Sequence, residues 1–575
     1  MFDRLITNAT IVDGTGSPRH PGAIGITDGR IAEVFVDPAP DADAAEHIDA
    51  DGLVVCPGFI DPHTHYDAQL LWDPQATPSN LHGVTTIIGG NCGFTLAPLA
   101  PGDGDYLRRM MAKVEGMPLP ALEAGVDGNW DGFGEYLARL EGRTALNAAF
   151  LVGHCAVRRR VMGTSAVGNE ATPEQITAMT ELLAESIRAG GLGFSTTLAR
   201  THSDGDGQPV ASRWAHRDEL LALASVVAAH EGTTLEYASD GCLDGFSDDD
   251  VDFMIDFALA GQRPLNWNVL TVDSHEPGRY QGQLAAMDRC RQAGAQVVAL
   301  TMPVLVGMNM SFLNYCALNM LPDWGPILGL PPVARLACLR DAAVRSYLVE
   351  RAAAPEAGVF ARLTGWERYV IGTTYCDAND GLSGRLVADI AAERGVTPFD
   401  ALLDIVVADD LRTVLWPGPT DDDDASWDLR AEAWEHPSVM IGGSDAGAHL
   451  DRMAGAPYPT MWLGDCERGR KLATLERAVQ HMTQRPAELF GLRDRGTIAA
   501  GHHADLVVFD PDTVDAGPIE LLEDLPGGTG RLVADAVGVA RVMVGGVDIV
   551  IDGVATDALP GRVLRSGTDT YTVSV

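Results

Sequence analysis

Lysine is nearly missing from this chain. Lys113 and Lys471 are the two among 575 residues, so the basic positions fall to arginine. Positive charge is scarce altogether: lysine plus arginine number 41 against 80 acidic residues, a formal net charge of −39. A field of that sign repels nucleic acid and anionic membrane, and neither is expected as a partner. Long apolar runs are also lacking, and none approaches the roughly 20 residues that cross a bilayer. Met1-Phe2-Asp3-Arg4-Leu5 has no basic segment leading into an apolar stretch and a cleavage site, so the expected location is cytoplasmic. The nine cysteines have no Cys-x-x-Cys spacing. An odd number in a leaderless chain reads as reduced thiols, not as a disulfide framework.

What is present is a large globular chain, 46% hydrophobic and 21% charged. Residues 4 to 56 read as short strands with tight turns, and Asp28-Gly29 between β-rich runs is a hairpin signal. The pattern returns in Ala504 to Asp510, Val537 to Val544 and Asp548 to Ile551. Each half-set is too small to cover a core alone, so both termini are expected to build one small β-sandwich, from 1–56 and 491–575. Between them, from 57 to 490, short apolar strands alternate with helical stretches. The strands are expected at Phe59–Asp61, Gly83–Ile88, Ala148–Val152, Gly193–Thr196, Thr233–Tyr237, Pro264–Val269, Gln296–Leu300 and Val439–Gly442. Eight parallel βα units point to an α/β fold with a (β/α)8 barrel. The stretch near 303–435 is long for one connection and is expected to hold extra helices and a cover over the barrel mouth.

In such a barrel the strand C-termini make the site, so the polar residues there are the candidates. His63 and His65 follow Phe59-Ile60-Asp61. With one residue between them they project the same way on extended chain, and two imidazoles so placed form one edge of a divalent-metal site, zinc first. Cys92, in Asn91-Cys92-Gly93 after the second strand, offers either a thiolate ligand or a small buried hydrophobe. Asp445, in Ser444-Asp445-Ala446-Gly447 after the last strand, suits a ligand and proton carrier, or a turn. His154 ends the third strand and can bind substrate or hydrogen-bond within the barrel. His202 and His449 flank mouth loops, where they can polarise a carbonyl or stand in solvent.

These residues carry a resemblance. Asp28-Gly29-Arg30-Ile31, Pro57 to His65, Gly89 to Gly93, Gly153-His154, Gly193 to Thr197, Ser444-Asp445 and Gly501 to Val507 resemble the amidohydrolase superfamily, in particular its D-aminoacylase group, over almost the whole chain. The resemblance implies a (β/α)8 barrel with a small β-sandwich and metal-dependent hydrolysis of an amide. It implies that His63, His65 and Asp445 share a metal site, with Cys92 in the bridging place that a carboxylated lysine takes in related hydrolases. It also implies a histidine after the strand containing Leu235-Glu236-Tyr237, and His-His-Lys after Leu265-Asn266-Trp267-Asn268. This chain has no histidine at either place.

Glu236, Asn268 or His275 are the available substitutes, and an amide oxygen is a poor zinc ligand beside imidazole. One zinc ion is therefore expected rather than two. Arg452 is the candidate for a substrate carboxylate in place of the missing lysine. The expected activity is hydrolysis of a carbon–nitrogen bond in a small-molecule amide, N-acyl-D-amino-acid deacylase-like, with Asp445 as the proton carrier. An amidohydrolase acting on a cyclic amide or other small molecule, and a catalytically silent ligand-binding barrel, are the alternatives. Oligomeric state is not legible.

Overall fold

The computed structural model describes residues 1–314 and 316–575. They form two compact units, one from Met1–Val304 with Ala425–Val575 and one from Leu305–Asp424. No described helix is long and apolar enough to cross a membrane.

In the first unit the two chain ends meet in one nine-stranded sheet. Its N-terminal members are β1 (Phe2–Ile11), β2 (His20–Thr27), β3 (Arg30–Phe35), β4 (Ala44–Asp49) and β5 (Val54–Pro57). The C-terminal strands at Leu506–Phe509, Val539–Val544, Val547–Ile551 and Val554–Ala555 complete it. The join is antiparallel, with Leu506 opposite Pro57 and Val508 opposite Val55. Asp28 and Gly29 both take positive φ, 51° and 72°, the geometry that the two-residue hairpin turn between β2 and β3 demands. Inward-facing Ile6, Ile11, Ile24, Ile26, Val55, Leu506, Val508 and Met543 form one buried cluster drawn from both ends. The period-2 alternation thus became a shared core that neither terminus could close alone.

Between those ends run parallel strands. β6 (Phe59–Asp61), β7 (Val84–Gly89) and β8 (Asn147–Phe150) pair in that order. A six-stranded parallel sheet follows, β9 (Val152–Gly153), β10 (Gly193–Thr197), β11 (Thr234–Ala238), β12 (Leu265–Asn268), β13 (Val297–Thr301) and β14 (Val439–Ile441). β8 and β9 lie on one extended run, expected as a single strand and divided at Leu151, whose N–H goes back to Gly89. Almost every residue of these strands is buried, as expected where both faces of a parallel sheet are covered.

The exits of β6 and β14 are tied together. The Asp445 N–H donates to the His63 carbonyl at 3.3 Å, the His65 N–H to the Ala446 carbonyl at 2.7 Å, and Ser444 Oγ to the Asp61 carboxylate. This stitching gathers the site residues.

The second unit is largely helical, with helices at Pro332–Arg340, Ala342–Ala352, Val387–Arg394 and Pro398–Ala408. Its core centres on Trp324 stacked on Trp366 at 5.7 Å, with Phe399 against both. Burying rings of that size supplies much of the apolar area that a unit this small needs.

Candidate metal centre

Strand β6 stops at Asp61, so the two histidines sit just beyond it. Thr64 between them is held by its N–H and hydroxyl, both donating to the Ile88 carbonyl at 2.9 Å. The rings of His63 and His65 lie together, edge to face with centroids 5.2 Å apart. Both are fully buried. Burial drives the His63 ring down to about 3 and His65 well below its ordinary value, so both are neutral and free to act as electron-pair donors.

Cys92 arrives from a sharp turn after β7. Gly90 takes φ 74°, and a Cβ there would stand 2.3 Å from the Leu151 carbonyl oxygen, so only glycine fits. Cys92 itself takes φ 55°, a left-handed conformation that costs a non-glycine residue about 1 kcal/mol or more. The turn is held by Asn91, whose amide donates to the Thr64 and Ile88 carbonyls, and by Glu236 on β11, which accepts the Cys92 N–H at 2.9 Å. The strained turn puts Cys92 Sγ 3.6 Å from His63 Nε2.

Asp445, also left-handed at φ 53°, points its Oδ1 at both imidazoles, 3.3 Å from His63 Nε2 and 3.8 Å from His65 Nε2. The Asn268 amide donates to the same oxygen at 3.2 Å. Burial, and then Asp61, raise the Asp445 carboxyl to about 7. Its side chain is 28% exposed where the imidazoles beside it are closed off, so it faces the open side of the cluster.

Metal–ligand bonds of about 2.0–2.3 Å at tetrahedral angles set ligand atoms about 3.3–3.7 Å apart. The separations of His63 from Asp445 and from Cys92 fall in that range, and His63, His65 and Cys92 offer donor atoms all within 4.8 Å of one another. The donor set, two neutral imidazoles, a thiol and a carboxylate, is one that zinc accepts. The residues fit the ion.

Sequence reasoning missed Glu115. It follows the helix α1 (Gly104–Val114), in the long connection from β7 to β8, and its Oε2 stands 3.5 Å from His65 Nε2 at 4% exposure. Burial, then Asp445, Asp67 and Glu236, push its carboxyl well above the ordinary range. No motif surrounds it; the unusual length of the connection was the sole available signal. Glu236 is buried with Oε1 unpartnered, and burial raises it likewise.

The other candidates separate clearly. His202 has its Nδ1 2.7 Å from Thr197 Oγ1 and its ring edge-on to Phe94, and burial lowers the ring to about 4, so it is neutral. His449 is buried with Nδ1 unpartnered, and its N–H donates to the Glu115 carbonyl. Arg452 sits beside it, donating to Asp451 at 2.8 Å and to the Gly116 carbonyl at 3.4 Å.

His154 lies apart, with Nδ1 2.9 Å from Thr196 Oγ1 and Nε2 2.8 Å from Glu219. Both ring nitrogens are thereby used within the protein. His275 is an exposed loop residue, paired with Asp273. Asn268 meets the centre through its amide N–H and not through its oxygen, which is buried without a partner.

Comparison with known proteins gives the family. The sequence profile of the Amidohydrolase family matches residues 46–550. A D-aminoacylase of Alcaligenes xylosoxydans xylosoxydans is 30% identical over 98% of this chain and 97% of its own length. An N-acyl-D-glutamate deacylase from the same organism is 30% identical over 89% of this chain and 88% of its own. The crystal structure of a D-aminoacylase superposes with a TM-score of 0.65 at 27% identity, covering 98% of this chain and all of that one. An N-acyl-D-glutamate deacylase of Bordetella bronchiseptica, solved with zinc and a phosphonate mimic of the tetrahedral intermediate, gives 0.63 at 26%, with 98% and 100% covered. With a profile spanning most of its length and full-length relatives at this identity, the chain belongs to the amidohydrolase family and is a hydrolase of carbon–nitrogen bonds other than peptide bonds.

Proposed function

We propose that this chain is a zinc-dependent deacylase of N-acyl-D-amino acids or close analogues. The observation that carries the reading is that His63, His65 and Cys92 come together from two strand ends, with Asp445 from a third holding Oδ1 3.3 and 3.8 Å from the two imidazoles. These four residues would hold the ion. When bound, it supplies Lewis-acid polarisation of the amide carbonyl and lowers the pKa of water at the site.

The protein's own groups do the rest. Asp445 takes the proton from the attacking water at Oδ2 and hands it to the leaving nitrogen, while Asn268 holds Oδ1 by its amide N–H. His202, fixed at Nδ1 by Thr197, presents its other nitrogen to the developing oxyanion. His449 and Arg452, on the loop after Asp445, line the substrate's far end.

The strand order supports a closed (β/α)8 barrel beneath this site. Counting β8 with β9 as one, eight parallel strands run in sequence order, and the exits of the first and last are hydrogen-bonded to each other. The same reading divides the chain into 1–56 and 491–575 as a β-sandwich and 57–490 as the barrel, with an insertion near 303–435. It places the protein in the cytoplasm, acting on a small molecule and not on nucleic acid or membrane.

The absence of the His-His-Lys expected after Leu265-Asn266-Trp267-Asn268 favours a second reading in which the amide hydrolysed belongs to a cyclic or other small molecule. Elemental analysis of the purified protein, with kinetics of wild type and Asp445→Asn on N-acyl-D-amino acids and cyclic amides, separates the two. Unchanged turnover in Asp445→Asn, or in metal-stripped protein, overturns the metal-dependent mechanism.

A further inference from the structure

We infer that Glu115 is itself a ligand of the metal centre, carried in by the 98–126 excursion after β7, so that metal uptake orders this excursion. The inference rests on the metal centre proposed above and adds to it a donor outside the set His63, His65, Cys92 and Asp445.

Three observations converge on it. Glu115 Oε2 stands 3.5 Å from His65 Nε2, long for a hydrogen bond and close to the ligand-to-ligand spacing around a shared ion. The carboxyl group is nearly sealed from water, and among the described residues no hydrogen-bond donor or guanidinium meets it; its polar neighbour is that neutral imidazole. Ionising a carboxyl buried in this way costs several kcal/mol unless a cation joins it, so it keeps its proton until one does. Finally, the imidazoles it would assist are poorly supported, because Nδ1 of His63 and of His65 are both buried without partners. Ligating histidines ordinarily gain donor strength and orientation from a partner on that atom. Here a carboxylate would have to supply what the rings do not.

The excursion is built to deliver this side chain. Asp103 pairs with Arg159 at 3.0 Å, and the Tyr106 hydroxyl donates to Asp204 at 3.2 Å, anchoring the start of α1. At its other end the Glu115 carbonyl accepts the His449 N–H at 2.5 Å, and the Gly116 carbonyl accepts from Arg452. Gly116 takes φ 58°, and a Cβ there would lie 2.7 Å from His449 Nδ1, so the turn presses directly against the loop that carries Asp445. The two sides of the centre are thus clamped together, with Glu115 facing the imidazoles across the join.

The test is zinc and cobalt(II) titration of full-length protein, stripped with a chelator, in wild type, Glu115→Gln, Glu115→Asp and Cys92→Ser. Glu115→Gln is expected to weaken zinc by about 10-fold or more. It should shift the visible bands of the cobalt form while leaving the thiolate-to-cobalt band of Cys92 in place. Zinc should slow hydrogen exchange across 104–117 in wild type and not in Glu115→Gln. The metal-free variant should melt close to metal-free wild type, because burial already keeps the Glu115 carboxyl protonated there and the amide keeps its shape. Glu115→Asp should recover part of the affinity.

Unchanged affinity and cobalt bands in Glu115→Gln, with Cys92→Ser weakened, overturn the inference and leave the metal centre standing. A Glu115→Gln variant that melts lower without metal, at unchanged affinity, marks a structural role and overturns it too. Wild type that takes up no metal removes the centre and this inference with it.

Discussion

Two buried clusters of acid and imidazole lie at strand exits of this molecule, and they handle their charge in opposite ways. At His154, every oxygen of Glu219 is engaged: Oε1 accepts from His154 and Arg158, and Oε2 accepts from Arg158 at 2.6 Å. Arg158 reaches on to the Asn169 carbonyl. Burial by itself would raise Glu219, but the His154 hydrogen bond and the Arg158 charge overcome it and hold the carboxyl below its ordinary value. At His63 and His65 the reverse holds. Glu115, Glu236 and Asp445 are all raised, chiefly by burial, and unpartnered polar atoms remain on Glu236 and both imidazoles.

One cluster balances its own charges. The other leaves buried polar atoms without partners. A buried ion pair completed within the protein serves architecture, whereas buried acids and neutral imidazoles left incomplete are what a cation site looks like before the cation is counted.

The contrast can be broken from either side. The largest effect is expected at Asp445: if it carries the proton as proposed, Asp445→Asn should lower kcat by about 10²- to 10⁴-fold with little change in melting temperature, since the amide keeps the shape and cannot carry a proton. Steady-state kinetics beside thermal melts check this, and a variant that loses stability as much as activity would move Asp445 into the architectural class.

The mirror experiment is Glu219→Ala. It should cost about 3–5 kcal/mol in denaturant unfolding, because the fully buried Arg158 is left with its charge uncompensated. Zinc content should not change. Loss of metal in that variant would show that the two clusters are not independent. A smaller effect is expected from Asn268→Leu, which removes the hydrogen bond to Asp445 Oδ1 and should lower kcat about 10-fold while leaving KM near its wild-type value.

How much of this was legible beforehand follows from where each residue sits. His63, His65, Cys92 and Asp445 each follow a short, mainly apolar strand, and a parallel βα pattern directs attention to strand ends before any contact is known. The Asp28-Gly29 turn was readable for a similar reason, since its conformation is demanded locally by the hairpin. Glu115 was not readable, because nothing in Lys113-Val114-Glu115-Gly116 distinguishes it from a helix-end glutamate in solvent. Its burial is made by the turn at Gly116 against the loop at His449, a contact between segments more than 300 positions apart. Asn268 was weighed for its oxygen and matters through its nitrogen, a distinction that depends on where Asp445 lies. His154 had two open readings, and the partner that selects between them, Glu219, comes from a helix 65 residues later.

The smallest effect sharpens the comparison most, because it concerns the sign of a pH dependence. Glu219 has a folded-state pKa below its ordinary value near 4.5. Its contribution to stability is therefore fully present above that value and is lost as pH falls through the folded pKa. The stability difference between wild type and Glu219→Gln should be flat from about pH 6 to 8 and should narrow below about pH 4.5, where protonation of the wild-type carboxyl makes the two chains alike. Denaturant unfolding at a series of pH values reads this directly. A difference that stays constant down to about pH 3, or that widens, would mean that His154 and Arg158 do not stabilise the Glu219 charge. The cluster would then be held by packing and shape, and the electrostatic contrast with the metal centre would lose its basis.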